Sequence, residues 1–160
     1  MNSPFEVFPW SDTFATGIQE IDQQHQILIQ FLNILASSMS FHSDMPNSRI
    51  IFMELTDYAA YHFKTEESVW HQYFADDASE AQHKKLHADF ELEVNRLKNE
   101  ESNLPLEIVL KDVVAFLTEW LKFHILDSDK RMARVVLCIQ SGMSLDQAKQ
   151  YVNQQIAAEK

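Results

Sequence analysis

Hydrophobic positions recur along most of this chain at the three- and four-residue spacing of one helix face. No glycine or proline interrupts the stretch from Ile18 to Met45, which predicts a first helix. Pro46 stands where a second helix can begin, because proline is tolerated in the first turn. The predicted inner faces are Ile21, His25, Leu28, Leu32 and Leu35 on the first helix, and Leu55, Tyr58, His62, Glu66 and Val69 on the second.

Two further long helices and one short helix follow from the same spacing. Ser79 and Gln82 predict a capping box that opens the third helix, and Pro105 opens the fourth, which runs toward Gly142. Ser144 with Gln147 predicts a second capping box. The predicted inner faces are His83, His87, Phe90, Val94 and Leu97 on the third helix, Leu106, Leu110, Val113, Leu117, Leu121 and His124 on the fourth, and Leu145, Ala148, Val152 and Ile156 on the short one.

No alternating strand pattern competes with these helices, so the predicted fold class is all-α. Four amphipathic helices with short connections bury their stripes most economically as an antiparallel up-down-up-down bundle. We expect a single domain over 1–160, with an N-terminal arm at 1–17, the bundle at 18–141 and a C-terminal helix at 144–158. The arm is predicted to pack on the bundle through its aromatic residues Phe5, Phe8, Trp10 and Phe14.

Charge and composition narrow the classes of function. A net charge of -11 with only 13 Lys and Arg residues argues against nucleic acid and against an anionic membrane surface. No segment resembles a secretion signal or an apolar membrane span. The one cysteine, Cys138, cannot form an internal disulfide. These features predict a soluble, cytoplasmic protein.

Ionisable residues occupy positions on the stripes where apolar residues belong, and their burial without partners would cost several kcal/mol each. In an antiparallel bundle the start of the first helix, the end of the second, the start of the third and the end of the fourth lie at the same level. The polar positions fall at those four places, which predicts a metal site. They are His25, His62, Glu66, His83, His87 and His124.

The ligand count favours two metal ions over one. Five imidazoles exceed what a single zinc ion takes from a protein. Two six-coordinate ions that share one bridging oxygen and two carboxylates would keep one position open after five histidines bind, and a mixed imidazole and carboxylate set suits iron or manganese. An open position on a redox metal indicates a small ligand such as O₂.

A second carboxylate is therefore needed, and the segment HILDSD, residues 124–129, offers Asp127 and Asp129. Helical geometry favours Asp127, because residues three apart share a face with His124 while residues five apart are turned by about 140°. Geometry alone thus places Asp129 away from the histidine.

The polar motifs resemble the metal-ligand signature of hemerythrins, including the bacterial hemerythrin-like proteins. The resemblance covers about residues 10–133. The motifs are His25 after TGIQEID, HFKTE from His62 to Glu66, HKKLH from His83 to His87, and HILDSD from His124 to Asp129.

The resemblance implies an oxo- or hydroxo-bridged diiron centre that binds O₂ at the iron held by His25 and His62. By the same resemblance the other iron is held by His83, His87 and His124, and Glu66 and Asp129 bridge both irons. It thus selects Asp129 where helical geometry selects Asp127. We therefore expect a local π-bulge at HILDSD and an exposed Asp127.

Four apolar residues flank the predicted ligands and are expected to line an O₂ pocket, although ordinary core packing explains them equally well: Phe63, Trp120, Leu121 and Ile125. His42 and His71 lie off the stripes and are predicted to be surface histidines. The resemblance implies reversible O₂ binding for storage, delivery or scavenging, with NO or peroxide as other small ligands. It does not imply an enzyme, and no second titratable cluster supplies an acid or base. The alternative is an O₂ or redox sensor that signals through residues 134–160 to a protein partner or a downstream domain.

Overall fold

The computed structural model describes residues 8–40 and 45–159, and within these ranges the chain forms helices and no strand. The predicted all-α class is confirmed. Phe5 of the arm and His42 lie outside the described residues. The helices are α1 (Gln19–Ser40), α2 (Met45–Phe74), α3 (Ala78–Asn99), α4 (Leu106–Phe123), α5 (Lys130–Gln140) and α6 (Leu145–Ala158), with 3-10 turns at Asp12–Phe14 and Glu100–Ser102 and a π-helical segment at His124–Asp129.

The first four helices pack as a ring: α1 contacts α2 and α4, and α3 contacts the same two helices from the other side. The π-helical segment joins α4 to α5 without a break, so these three elements form one long fourth rod. Short connections between successive helices give the up-and-down order that the amphipathic stripes predict. Within the described ranges, no helix has the length and apolarity needed to cross a membrane.

The helix ends agree with local capping chemistry at most, but not all, predicted positions. Ser144 and Gln147 form the predicted capping box, in which the Ser144 hydroxyl accepts from the Gln147 N–H at 3.2 Å. Gly142, at a φ of 116°, ends α5 as expected. The prediction that Ser79 caps α3 is wrong. Asp77 is the N-cap, and its carboxylate accepts from the Ser79 N–H at 2.9 Å.

The buried apolar residues form two separate clusters. The larger fills the ring of four helices and includes Leu32, Phe63 and Leu117. The smaller lies under α6, which contributes Ala148 and Val152 to it. The C-terminal helix therefore covers an apolar surface of its own bundle.

The N-terminal arm packs on the larger cluster, as predicted for Phe8, Trp10 and Phe14. Phe8 is buried, and its backbone exchanges two hydrogen bonds of 2.9 Å with the Asn33 side chain of α1. These bonds satisfy backbone groups that burial would otherwise leave without water.

Candidate metal centre

Seven ionisable side chains from all four rods of the bundle meet in its interior. They form two groups, each with ligand atoms within 4.8 Å of one another, and Glu66 belongs to both groups. Every member is buried. The first group is Glu66, His83, His87 and His124, and the second is His25, His62, Glu66 and Asp129. The structure thus brings together all seven residues that the sequence singles out as metal ligands.

Helical spacing explains how α2 and α3 each present two of these side chains. His62 and Glu66 are four residues apart on α2, as are His83 and His87 on α3, so each pair lies on one helix face. The imidazole Nε2 of His62 is 2.9 Å from Oε1 of Glu66. All these residues lie at the level where the chain order predicts their convergence.

Glu66 divides its two oxygens between the two groups. Its Oε1 lies 3.1 Å from Nε2 of His25, and its Oε2 lies 3.0 Å from Nε2 of His83 and 3.1 Å from Nε2 of His87. A carboxylate in this position can contribute one oxygen to each of two cations.

Asp129 spans the two groups in the same way. Its Oδ2 lies 2.9 Å from Nε2 of His25, and its Oδ1 lies 3.2 Å and 3.1 Å from the Nε2 atoms of His83 and His124. Asp127, in contrast, has a side chain that is 79% exposed and lies 3.7 Å from Arg131. Regular helix geometry selected Asp127, and this selection is wrong, because Asp129 is the aspartate that faces the cluster.

The backbone between His124 and Asp129 explains this result. The segment is π-helical, which confirms the predicted bulge. The π-helix pairs residues five apart, whereas the α-helix pairs residues four apart. Asp129 consequently turns inward beneath His124, and Asp127 turns toward solvent.

Three further side chains lie within hydrogen-bond distance of Nδ1, the ring nitrogen that points away from the cluster, on three of the imidazoles. Nδ1 of His62 lies 2.8 Å from Oε1 of Gln24, Nδ1 of His83 lies 2.8 Å from the Ser128 hydroxyl, and Nδ1 of His87 lies 3.0 Å from Oε1 of Glu67. An Nδ1–H that donates to such a partner keeps Nε2 free to bind a metal. Sequence reasoning missed all three partners. Their only signal is adjacency, since each precedes or follows a predicted ligand in the chain.

The ionisable groups of the cluster pair with one another. Burial disfavours a charged His25, but the negative charges of Asp129 and Glu66, together with the 3.1 Å hydrogen bond to Glu66, outweigh it and raise the pKa of His25 to about 10. The same balance raises the pKa of His83 to about 9. Burial also opposes ionisation of Glu66, yet His62 and its neighbouring imidazoles hold the Glu66 pKa well below its usual range. The protons on these imidazoles therefore lie where metal cations could replace them.

Unsatisfied atoms indicate that hydrogen bonding alone does not account for the arrangement. Among the described residues, neither carboxylate oxygen of Asp129 has a hydrogen-bond partner, although both are buried. The nearby imidazole nitrogens are at contact distance but are not aligned for hydrogen bonds. A buried carboxylate that accepts no hydrogen bond is costly, and bound cations would compensate for that cost. The donor set of imidazoles and carboxylates fits a binuclear transition-metal centre.

Aromatic and aliphatic side chains enclose the cluster. The Phe63 ring stacks on His87, with centroids 4.0 Å apart, and the Trp120 ring stacks on His124, with centroids 4.2 Å apart. Leu121 and Ile125 are buried in the larger apolar cluster. All four predicted pocket residues therefore lie in the core or directly against the ligand imidazoles.

His71 lies outside the centre, as predicted. Its side chain is 65% exposed, and its Nδ1 is 2.8 Å from a carboxylate oxygen of Glu80.

An all-helical bundle with a buried, shared His, Glu and Asp cluster defines a class of metal-binding proteins, and comparison with known families agrees. The model of the hemerythrin HHE cation binding domain matches residues 16–136. The chain belongs to the hemerythrin family. The matched region ends within α5, so α6 lies beyond it.

Three named relatives share this similarity. The chain is 28% identical over 129 residues to a bacteriohemerythrin of Clostridium acetobutylicum, an alignment that covers 78% of this chain and 97% of the relative. It is 29% identical over 130 residues to a hemerythrin-like protein of Naegleria gruberi, with 81% and 93% covered. It is 31% identical over 121 residues to a bacteriohemerythrin of Pseudomonas aeruginosa, with 75% of each chain covered.

Proposed function

We propose that this chain is a non-heme diiron protein that binds O₂ reversibly, for storage, delivery or scavenging, and is not an enzyme. The observation that carries the proposal is the division of the Glu66 and Asp129 oxygens between two adjacent groups of imidazoles. Membership of the hemerythrin family and similarity to proteins named bacteriohemerythrin support it.

The proposed ligands assign unequal numbers of imidazoles to the two metals. His83, His87 and His124 would hold one iron, His25 and His62 the other, and Glu66 and Asp129 would bridge both. When bound, the oxo- or hydroxo-bridged diiron pair supplies the reversible redox chemistry that retains O₂. The two-histidine side would keep the open position, to which NO or peroxide would also have access.

The residues around the ligands favour binding over oxidation of other molecules. Phe63, Leu121 and Ile125 exclude water from the cluster, which should slow hydrolytic loss of bound oxygen. Imidazole-rich ligation is less anionic than carboxylate-rich ligation and stabilises high-valent iron less.

The test is anaerobic reconstitution with Fe(II), metal analysis, and stopped-flow mixing with O₂. A carrier takes up about two irons per chain and gives an oxygenated absorption spectrum that is reversed by deoxygenation. Prompt, irreversible conversion to the diferric form would contradict the carrier role. Stable loading with a redox-inactive metal in preference to iron would contradict the diiron assignment.

A second candidate function is O₂ or redox sensing, favoured by one specific contact. Trp70 of the smaller apolar cluster lies edge-on against His83, with ring centroids 5.6 Å apart, and α6 packs on the same cluster through Val152. A change in the position of His83 would therefore reach the apolar cluster on which α6 packs. Hydrogen exchange of α6 in the oxygenated and deoxygenated protein tests this function, since a sensor changes α6 protection and a carrier does not.

A further inference from the structure

The outer side of α1 is apolar and uncharged. From Gln23 to Ser40 the helix contains no Asp, Glu, Lys or Arg, although the whole chain has a net charge of -11. Ile27 is 37% exposed and Ile34 is 53% exposed. They are seven residues apart and therefore lie on one helix face, turned away from the buried His25. α1 thus has one apolar face inside the bundle and a second one outside it.

α2 continues this apolar surface. The ring centroid of Phe31 on α1 lies 5.9 Å from that of Tyr58 on α2, and the Tyr58 centroid lies 5.7 Å from that of Tyr61, which is 57% exposed. We name this surface the α1–α2 face, and its members are Ile27, Phe31, Ile34, Tyr58 and Tyr61. The described part of the N-terminal arm packs elsewhere, since Phe8 bonds to Asn33, which is turned by about 100° from Ile34.

The size of the α1–α2 face fits a weak interface between proteins. The uncharged stretch of α1 is about 27 Å long at about 1.5 Å per residue, and two packed helices are about 20 Å wide. Each copy would contribute about 500 Å² and a pair about 1,000 Å², which is the lower limit for a specific interface. A partner on this face is therefore expected to bind reversibly.

The spacing of the two isoleucines makes the face complementary to itself. Ile27 and Ile34 lie at equal distances on either side of the midpoint between Gln30 and Phe31. A two-fold axis that crosses α1 at right angles at this level reverses the helix, so Ile27 of each copy meets Ile34 of the other. Two identical chains thereby cover both exposed isoleucines of each.

The exposed charges of α2 agree with the same axis. Tyr58 lies level with Phe31, so the axis crosses α2 near Tyr58. Glu54 and Asp57 lie on one side of this level, and Lys64 lies on the other. Reversal brings Lys64 of each copy toward Glu54 and Asp57 of the other, whereas a parallel arrangement would place like charges together.

We propose that the α1–α2 face binds a second copy of this chain, in a two-fold dimer with α1 antiparallel to α1 and α2 antiparallel to α2. Charge favours this occupant, because two chains of net charge -11 repel one another except where their surfaces are uncharged or complementary. The dimer contact uses none of the proposed metal ligands.

Sedimentation equilibrium of the purified full chain, with its metal content measured in the same preparation, tests the dimer. Between about 1 μM and about 1 mM, the measured mass should rise from one chain toward two, as expected for a weak interface. Ile34→Glu puts a carboxylate from each copy into the interface and should raise the dissociation constant by at least about tenfold. Leu92→Glu adds the same charge at a 69% exposed position on α3 and is the matched control, which should leave the constant unchanged.

Charge reversal tests the contact between the two α2 helices. Lys64→Glu faces acidic residues of the second copy and should raise the dissociation constant about 3- to 10-fold, and adding Glu54→Lys should recover part of the lost affinity. Helical circular dichroism of each variant separates a loss of association from a loss of folding.

Cross-linking with a short bismaleimide tests the antiparallel order. In a Cys138→Ser background, Gln30→Cys lies near the two-fold axis and should form covalent dimers. Gln23→Cys would lie about 22 Å from its counterpart, at about 1.5 Å per residue, and should not. A chain that stays monomeric at every concentration, equal dissociation constants for Ile34→Glu and Leu92→Glu, or cross-linking of Gln23→Cys as readily as Gln30→Cys would each overturn the proposal.

Discussion

Replacement of Asp129 by Asn is the most direct test of the shared cluster. The carboxylate lies within 3.2 Å of three imidazole nitrogens, and its loss leaves buried histidines that it helps to keep charged. Breaking a buried ion pair by removing one partner typically costs about 3–5 kcal/mol. Total unfolding free energies are about 5–15 kcal/mol, so the variant should lose a large fraction of its stability.

Asp127→Asn is the matched control, because it makes the same chemical change two residues away at an exposed side chain. A surface substitution of this kind should change stability by less than about 0.5 kcal/mol. With a urea m-value of roughly 2 kcal/mol/M, Asp129→Asn should lower the unfolding midpoint by about 1.5–2.5 M, and Asp127→Asn should leave it nearly unchanged.

The assay is urea unfolding of chelator-treated protein, followed by helical circular dichroism, with metal stoichiometry measured on parallel samples after reconstitution. Asp129→Asn should also fail to retain two metal ions, while Asp127→Asn retains them. Equal midpoints for the two variants, or full metal retention by Asp129→Asn, would refute the placement of Asp129 in the cluster.

Three other outcomes follow from the same geometry. The metal-free protein should lose stability as pH rises from about 6.5 to about 10. His25 and His83 have higher pKa values in the folded chain than in the unfolded chain, so their contribution to stability is complete below the unfolded-chain pKa of 6.5 and is lost as pH rises through the folded-chain pKa values. Urea unfolding of chelator-treated samples at several pH values should show this decline. A flat profile would contradict the imidazole pairing. Glu67→Gln should weaken metal affinity about 10- to 100-fold by loosening the partner of the His87 ring, as measured by competition with a chelator, and an unchanged affinity would mean that Glu67 does not orient the ring. Phe63→Ala should destabilise the protein by about 3–5 kcal/mol in thermal or urea unfolding, and a cost under 1 kcal/mol would show that the site refills by repacking.

Sequence periodicity determined the helices because the repeat of apolar positions is a local property of each segment. The stripes predicted the ring of helices, and chain order predicted that His25, His62, His83 and His124 lie at one level. Both predictions need only the geometry of the α-helix and the alternating direction of successive helices in the bundle.

Tertiary structure decided what depends on distances between helices or on local departures from α-helical geometry. Regular spacing selected Asp127, and only the π-helical segment turns Asp129 inward. The partners Gln24 and Glu67 became apparent only when α1 and α3 were placed against α2, because each reaches a histidine of another helix. Such contacts depend on the distance between two packed helices, and the repeat of apolar positions along the sequence does not specify that distance.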